Sequence, residues 1–455
     1  MIRKILLVSC CVLLLADAAS AQRRRGQGPR PMGNAPAEPA AVEAPVALDR
    51  SKVQRWLVIR GADVYLGTGN LLRRASVLVG DDKIYAVGHN LEIPEKAEQI
   101  DATGKVVAPG FVAVRCSGLG APGSAPGKVA DSVNPYDPMM KAGLAAGITS
   151  FLLTLESGSA MPDGKTALIK LAYGDAKGMV AREDQVLSMR VPLNVQQMQT
   201  LRDNVKKLEE HKKALAEHAA KKDQSPAPKP PQGLEKLLRV VQGEAKLWIQ
   251  GPGAAGGGMM GRATGGFDNE LIRQAMEIAH LVGRGVVLLD PVTAWSIPDE
   301  IAATNSMVIL NPRNVVEADP GRADVTGSNL ASAAILADAG VPVAVTCPSG
   351  GFGGGPSIGT GGIMGQDLNT PHIDAAFAVR GGLDTLAALR TLCADAAKAV
   401  GAEDRVGAIE PGKDADLLIL DGDPLHYRTF VQIAIVNGKV VYEKDREPFY
   451  NHIKR

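Results

Sequence analysis

The sequence predicts an α/β fold, in which a closed barrel of alternating strands and helices is joined to a small β domain made by both chain ends. From residue 138 onward, helical stretches with apolar residues at helical spacing alternate with continuous apolar runs. Such runs are typical of parallel strands that are buried on both faces. Short runs rich in β-branched residues lie on either side of this region. The number of helix–strand units favours a closed barrel over an open sheet.

The composition is that of a globular protein and gives no argument for a nucleic acid or a membrane surface as a partner. The chain has 455 residues, of which 45% are apolar and 22% charged, and its formal net charge is +1. A charge this close to zero gives no reason to expect a nucleic acid partner. After the first residues, no stretch stays apolar for about 20 positions, so no transmembrane span is predicted.

The amino-terminal residues indicate export. Residues 1–21 combine the basic stretch MIRK, the apolar stretch ILLVSCCVLLLA and a small-residue cleavage site at Ala19-Ser20-Ala21. This pattern is typical of a cleaved secretory signal peptide and predicts a periplasmic or extracellular protein. Residues 22–50 are rich in Arg, Pro, Gly and Ala and are predicted to be a disordered leader.

The two β regions are predicted to meet. Residues 51–107 contain short β-branched runs separated by Gly and Asp-Asp, and residues 401–447 contain DADLLILDGDP and VQIAIVNGKVVYE. Asn437-Gly438 is a strong signal for a hairpin turn. We therefore expect residues 51–107 and 401–447 to form one small domain, residues 108–400 to form the barrel, and residues 448–455 to be a tail.

A helical insertion at residues 194–245 interrupts the barrel. Its first helix is highly charged but carries one apolar stripe, formed by Met198, Leu201, Val205, Leu208 and Leu215. This stripe fits a surface helix packed on the barrel. It also fits a coiled-coil contact with a partner chain, although it is only about three heptads long.

Three passages carry a resemblance to a known family. They are TLCADAAKAVGAEDRVGAIEPGKDADLLILDGDP at residues 391–424, GKVVAPGFVAV at residues 104–114 and VQIAIVNGKVVYE near the end. Together they resemble the amidohydrolase superfamily, in particular the imidazolonepropionase-related branch. The resemblance implies a TIM-type (β/α)8 barrel with a small β-sandwich formed by both chain ends. It also implies hydrolysis of carbon–nitrogen bonds other than peptide bonds, with a divalent metal.

The residues at the implied metal site depart from the family pattern. The resemblance places the first two histidine ligands at Arg115 and Ser117, two later ligands at Gln250 and Asp290, and the catalytic aspartate at Pro348. Arginine repels a cation, serine and glutamine are weak ligands, and proline has no side-chain donor. One carboxylate does not make a site. We therefore predict a degenerate site that lines the barrel mouth, with no catalytic residue and no metal cofactor.

Other residues leave alternatives open. Lys170 could contact the pocket, serve structure only, or bridge metals after carbamylation as in some relatives. Cys116 and Cys347 could form a disulfide or be small apolar residues in the wall. The glycine-rich loops at 251–266 and 349–365 could be lids, or could bind an anion through backbone amides.

These observations support three hypotheses about function. The first is an exported, metal-free barrel that acts as a binding protein, or as a subunit beside an active paralogous amidohydrolase or a second copy of itself. The second is a working hydrolase with unusual ligands such as Asp290 and Lys170. The third is a barrel that binds a small anion near Arg115. Fold alone does not decide among them.

Overall fold

The structure is a computed structural model in which part of the chain can be described. The described residues are 42–43, 49–116, 118–121, 128–155, 159–220, 226–251, 267–313, 315–346, 371–448 and 450–454. The predicted signal peptide, Ser117, Cys347, Pro348 and nearly all of both glycine-rich loops lie outside these ranges.

Most of the described strands follow the predicted apolar runs, but Val42–Glu43 lies within the predicted leader, and Glu98–Asp101 and Val180–Glu183 are not apolar runs. In chain order they are β1 Val42–Glu43, β2 Trp56–Tyr65, β3 Leu71–Gly80, β4 Lys83–Gly88, β5 Glu98–Asp101, β6 Val106–Pro109, β7 Phe111–Ala113, β8 Ile148–Leu155, β9 Lys165–Lys170, β10 Val180–Glu183, β11 Val186–Arg190, β12 Lys246–Gln250, β13 Val287–Leu289, β14 Met307–Leu310, β15 Val343–Val345, β16 Leu417–Leu420, β17 Val431–Val436 and β18 Lys439–Glu443.

The helices lie between these strands. They are α1 Pro138–Ala145, α2 Ala176–Met179, α3 Val195–Ala220, α4 Glu235–Gln242, α5 Asn269–Val282, α6 Pro298–Ala303, α7 Ser332–Asp338, α8 Pro371–Arg380, α9 Thr385–Leu392 and α10 Ala394–Ala399. Among the described residues, no helix combines the length and the apolar character that a bilayer crossing requires.

Local sequence signals explain where several helices begin and end. The Asp268 side chain accepts a hydrogen bond from the backbone at the start of α5, and Gly283 ends this helix in the left-handed conformation. Asp137 caps α1 in the same way, and Pro138 occupies its first turn. These are the usual N-cap and C-cap residues, so the ends of these helices are set by the sequence itself.

The two chain ends share one nine-stranded sheet. Its order is β1-β4-β3-β2-β6-β16-β17-β18, and β5 pairs with β2. The ends join where β6 runs antiparallel to β16, with Val107 opposite Ile419. Asn437 and Gly438, with φ of 50° and 69°, form the predicted turn between β17 and β18. Two separate facing sheets, as a sandwich requires, are not seen among the described strands.

Strand β16 contributes to two cores because its side chains alternate between the two faces of the sheet. Leu417 and Ile419 pack in a core formed by the chain-end sheet. Leu418 and Leu420 pack in the large core that also contains the helices of the central region. Strand β16 is thus buried on both faces and is one of the strands that anchor the chain-end sheet to the rest of the molecule.

The central region contains the predicted helix–strand pairs but differs from the predicted barrel. Strands β11 to β15 form a five-stranded sheet, and neighbouring strands in it are parallel. Strand β7 is parallel to β8, but β9 and β10 continue from β8 as antiparallel strands. The described residues between β8 and β9, residues 159–164, contain no crossover helix. No strand ladder closes a barrel among the described residues, so the closed (β/α)8 barrel stays a prediction.

The two central sheets nevertheless face a common interior. One apolar cluster contains Val112 and Leu152 from the first sheet together with Trp248, Leu289 and Ile309 from the second. The alternate side chains of the same strands pack in the large core with the helices. Each central strand therefore has an interior face and a helix-covered face, as expected for runs that are apolar throughout.

The insertion packs on its own chain. Met198, Leu201, Val205 and Leu208 of α3 are buried in the large core, whereas Leu215 is only half-buried. This confirms the surface-helix interpretation for the first half of the stripe. Because those four side chains are already buried, they are not available to a partner chain.

Candidate functional site

The candidate site lies at the carboxyl ends of the parallel strands. In α/β proteins this edge usually carries the chemistry, because each strand there leads into a loop that can present a side chain. Polar residues stand at or directly after the ends of strands β11 to β15. These residues are Arg190, Gln250, Asp290, Asn311 and Thr346. Because the strands are parallel, their side chains belong to one edge of one sheet.

The structure brings only some of the sequence-predicted residues together. Gln250 ends β12 and lies in register with Leu289, so Asp290 follows on the neighbouring strand. Arg115 follows β7 in the other sheet and is half-buried. Ser117 and Pro348 lie outside the described residues. The edge of the five-stranded sheet therefore carries Gln250 and Asp290 side by side, and Arg115 comes from a separate sheet.

The position of Asp290 is fixed by its backbone conformation and by hydrogen bonds with the next strand. Its φ is +51°, which is an uncommon conformation for a residue other than glycine. Its backbone N–H donates to the carbonyl of Ile309 at 2.8 Å. One carboxylate oxygen accepts a hydrogen bond from the backbone N–H of Asn311 at 3.4 Å. The carboxylate is thus directed along the strand edge toward β14.

Arg190 is a site residue that the sequence prediction missed. It lies opposite Gln250 in the parallel β11–β12 ladder. Val186 and Trp248, which lie four and two residues earlier on these strands, both pack in the interior cluster. Since side chains alternate along a strand, Arg190 and Gln250 face the same interior. In both VLSMR and KLWIQ, every second residue faces the interior, and the last residue of each stretch belongs to that set. This shared pattern was the signal that could have identified Arg190.

Lys170 does not contact this site, contrary to the suggested pocket contact. Strand β9 runs antiparallel to β8, and Lys170 pairs with Ser150 near the amino end of β8. Its side chain is 1% exposed, and its Nζ lies 2.9 Å from a carboxylate oxygen of both Asp414 and Asp416. It also donates to the side chain of Asn437. Lys170 is therefore a buried structural cation at the opposite end of its sheet from the strand ends that would form a barrel mouth.

The groups around Lys170 form a buried ion network. Asp414 also pairs with Arg405 at 2.7 Å and with Lys83. Burial acts to raise the pKa of Asp414, but Lys170 and the other cations outweigh it and hold the pKa below its ordinary value. Burial raises the pKa of Asp416, although Lys170 opposes this. The network ties the chain-end sheet to β9 of the central region.

A second ion pair lies near the edge of the five-stranded sheet. Arg313, three residues after β14, donates from Nε to the fully buried carboxylate of Asp374 in α8 at 2.6 Å. In the same helix, burial lowers the pKa of His372 to about 4. His372 is therefore neutral near pH 7. Neither Arg313 nor Asp374 was predicted from the sequence to have a role.

The described residues do not fit a divalent metal. A catalytic zinc site needs about three protein ligands drawn from His, Cys, Asp or Glu. No group of three such residues is close enough to hold a metal within the described part of the chain. The edge carries a guanidinium, two side-chain amides, a hydroxyl and one carboxylate. Cys116 is buried, and because Cys347 lies outside the described ranges, the structure does not decide between a disulfide and two small apolar wall residues.

Comparisons with known proteins agree with the fold. Residues 296–445 match the Amidohydrolase family. The structure of an amidohydrolase from Thermotoga maritima MSB8 is similar, with a TM-score of 0.62 and 24% sequence identity, over 85% of this chain and 100% of that chain. At this identity the similarity shows a common fold.

One curated relative matches over a short segment. A dihydroorotase from Caldicellulosiruptor saccharolyticus is 38% identical over 61 residues, which is 13% of this chain. The match spans 14% of the length of that relative. Residues 296–445 thus match the Amidohydrolase family and the fold is similar to that of an amidohydrolase, whereas the imidazolonepropionase-related branch stays a prediction.

Proposed function

We propose that the chain is an amidohydrolase-type protein that has lost metal-dependent hydrolysis and acts as a binding protein or as the partner subunit of an active relative. The Amidohydrolase-family region and the similar fold support the inheritance of the frame. The observation that carries the proposal is the donor set at the strand ends. Where the resemblance implies metal ligands, the edge has Gln250 beside the single carboxylate of Asp290, and Arg190 provides a positive charge.

The chemistry of these side chains explains why hydrolysis is lost. Metal-dependent hydrolysis needs several anionic or imidazole ligands and a base that takes a proton from the attacking water. The guanidinium of Arg190 stays protonated and repels a cation, and the amide of Gln250 is not a base. Pro348, at the position of the implied base, has no side chain that could accept a proton.

The proposal includes export. Residues 1–21 have the pattern of a cleaved signal peptide, which supports a periplasmic or extracellular protein. In that compartment we propose that the barrel-like frame binds a small solute, or pairs with a paralogous amidohydrolase or a second copy of this chain. Size-exclusion chromatography with light scattering, alone and with such a paralogue, tests the pairing.

The first test is the metal content of the mature chain. The protein, beginning at Gln22, is dialysed against zinc, nickel or manganese, and then against buffer, before elemental analysis. A metal-dependent amidohydrolase treated in parallel is the positive control. We expect less than stoichiometric metal in this protein. One tightly held equivalent together with turnover of an amide or imide would refute the proposal.

The second candidate function is an active hydrolase with unusual ligands. The short similarity to a dihydroorotase is the observation that favours it. The salt bridges of Lys170 weigh against its use as a metal-bridging residue. Incubation with dihydroorotate, followed by chromatography of the products, separates the two candidates. Turnover that is lost in an Asp290→Asn variant would favour the hydrolase.

A further inference from the structure

We propose that Arg190 and Gln250 form a binding site for a small monocarboxylate at the carboxyl ends of β11 and β12. This inference rests on the proposed binding function and names the ligand class for the same edge. The two residues come from neighbouring strands in direct register, and both face the common interior of the two sheets. Neighbouring strands lie about 4.8 Å apart, which suits two donors that converge on one small group.

Both side chains carry a buried donor that lacks an acceptor. Gln250 is 1% exposed. Its side-chain nitrogen Nε2 and the Nε of Arg190 are both buried, and neither has a hydrogen-bond partner. A buried donor left unsatisfied costs about 1–3 kcal/mol, so such groups are rare in folded proteins unless water or a ligand satisfies them. Two of them side by side on one strand edge indicate a place for an acceptor.

The charge at this edge selects the ligand class. The Arg190 guanidinium is permanently protonated and makes no salt bridge with a described carboxylate. It and the amide nitrogen of Gln250 can only donate, so the ligand must supply acceptor oxygens. Asp290 adds one negative charge to the same edge, so the edge is not strongly positive. A monocarboxylate matches one guanidinium with charge-assisted hydrogen bonds, whereas a phosphate dianion would lack a second cation from this strand pair.

The test is a ligand-observed NMR titration of the full mature chain with monocarboxylates from propionate to benzoate. Propionamide tests the need for charge, and inorganic phosphate tests the ligand class. We expect saturable binding of a monocarboxylate, weaker binding of phosphate and none of propionamide. Arg190→Gln and Gln250→Leu should each weaken the binding by about tenfold or more, which corresponds to about 1.4 kcal/mol. Arg273→Gln, which removes an exposed charge on α5, should leave it unchanged.

Thermal unfolding without ligand separates a binding role from a structural one. If Gln250 awaits a ligand, Gln250→Leu removes an unsatisfied amide and should keep or raise the melting temperature. Gln250→Leu could instead lower the melting temperature and lose binding only in proportion to its unfolded fraction. That result would show that Gln250 has a structural role and would overturn the inference. Binding that Arg190→Gln leaves intact, tighter binding of phosphate, or no saturable binding of any monocarboxylate would also overturn it.

The failure of this inference can be told apart from the failure of the proposed function. Stoichiometric metal with turnover would refute the loss of hydrolysis, yet carboxylate binding through Arg190 and Gln250 would remain measurable. If no monocarboxylate binds and no metal is found, only the assignment of the ligand fails.

Discussion

At the scale of single residues, surroundings decide what a charged side chain does. Lys170 and Arg190 both follow apolar residues at the ends of strands. Lys170 is surrounded by the carboxylates of Asp414 and Asp416 and holds two regions together. Arg190 has no such partner among the described residues and faces the interior beside Gln250. The sequence pointed to Lys170 and not to Arg190, whereas the structure makes Lys170 a structural cation and Arg190 the candidate binding residue.

Replacing Lys170 by methionine should strongly destabilise the protein. The variant leaves buried carboxylates with fewer cations, and breaking a buried ion pair in this way costs about 3–5 kcal/mol. Urea unfolding measures the loss. The matched control is Lys439→Met, which breaks the more exposed pair with Asp175 and should cost about 1 kcal/mol or less. Similar losses in both variants would contradict the assigned role.

The loss of stability caused by Lys170→Met should also depend on pH. Burial already raises the pKa of Asp416 in the folded protein, and removing Lys170 takes away a cation that lowers it. An acid whose folded-state pKa is raised binds its proton more tightly in the folded state. Its contribution to stability is therefore present at low pH and is lost as the pH rises through the folded pKa. Unfolding at pH 5 and pH 8 should show the larger destabilisation at pH 8.

His372 should make the protein less stable in mild acid. Its folded-state pKa of about 4 lies below the ordinary value of 6.5 because the ring is buried. Between these values the unfolded chain binds the proton more strongly, so stability falls as the pH drops from about 6.5 toward 4, by about 3 kcal/mol in total. His372→Leu should flatten this part of the curve of unfolding free energy against pH. An unchanged curve would show that other groups cause the fall.

At the scale of elements, local sequence signals located the turns reliably, but they did not give the direction of the strands. The Asn437-Gly438 turn and the capped helices α1 and α5 follow from residues that are adjacent in sequence. The antiparallel return of β9 does not, because a fully buried strand is apolar in either direction. The sequence could therefore locate β9 as an apolar run but could not orient it.

The turn gives a prediction at this scale. In Gly438→Ala the new methyl carbon would lie 2.0 Å from the carbonyl oxygen of Asp81, and the residue has a positive φ. Gly412 also has a positive φ, but no atom lies within 4 Å of an added methyl. We expect Gly412→Ala to cost about 1 kcal/mol from backbone strain and Gly438→Ala clearly more, as measured by thermal unfolding. Equal costs would show that the contact with Asp81 relaxes.

At the scale of the whole molecule, the two ends of the chain depend on each other. Strand β16 lies between β6 and β17 and packs in two cores. A chain that ends at residue 410 would expose β6 and leave apolar surface on both faces of the sheet. We expect it to lose cooperative urea unfolding and to bind a hydrophobic dye. A chain that ends at residue 453, which keeps the Ile453 carbonyl that accepts from the buried Lys444, is the control and should unfold like the full protein. Cooperative unfolding of the shorter chain would contradict this dependence.

The sequence by itself determined most segments of the fold, and the loss of the family's metal chemistry stays a prediction made from it. Helix ends and most strand positions follow from caps, apolar periodicity and turn residues, which act over a few positions. The identities of Arg115, Gln250 and Asp290 were enough to predict that a metal site would be degenerate.

Only the tertiary structure decided which of these residues share an edge. Register in the β11–β12 ladder places Arg190 opposite Gln250, although 60 positions separate them in the chain. The antiparallel β8–β9 ladder moves Lys170 away from the strand ends and toward Asp414. Register and strand direction depend on contacts between distant segments, and an apolar strand that is buried on both faces leaves no trace of either in its own sequence.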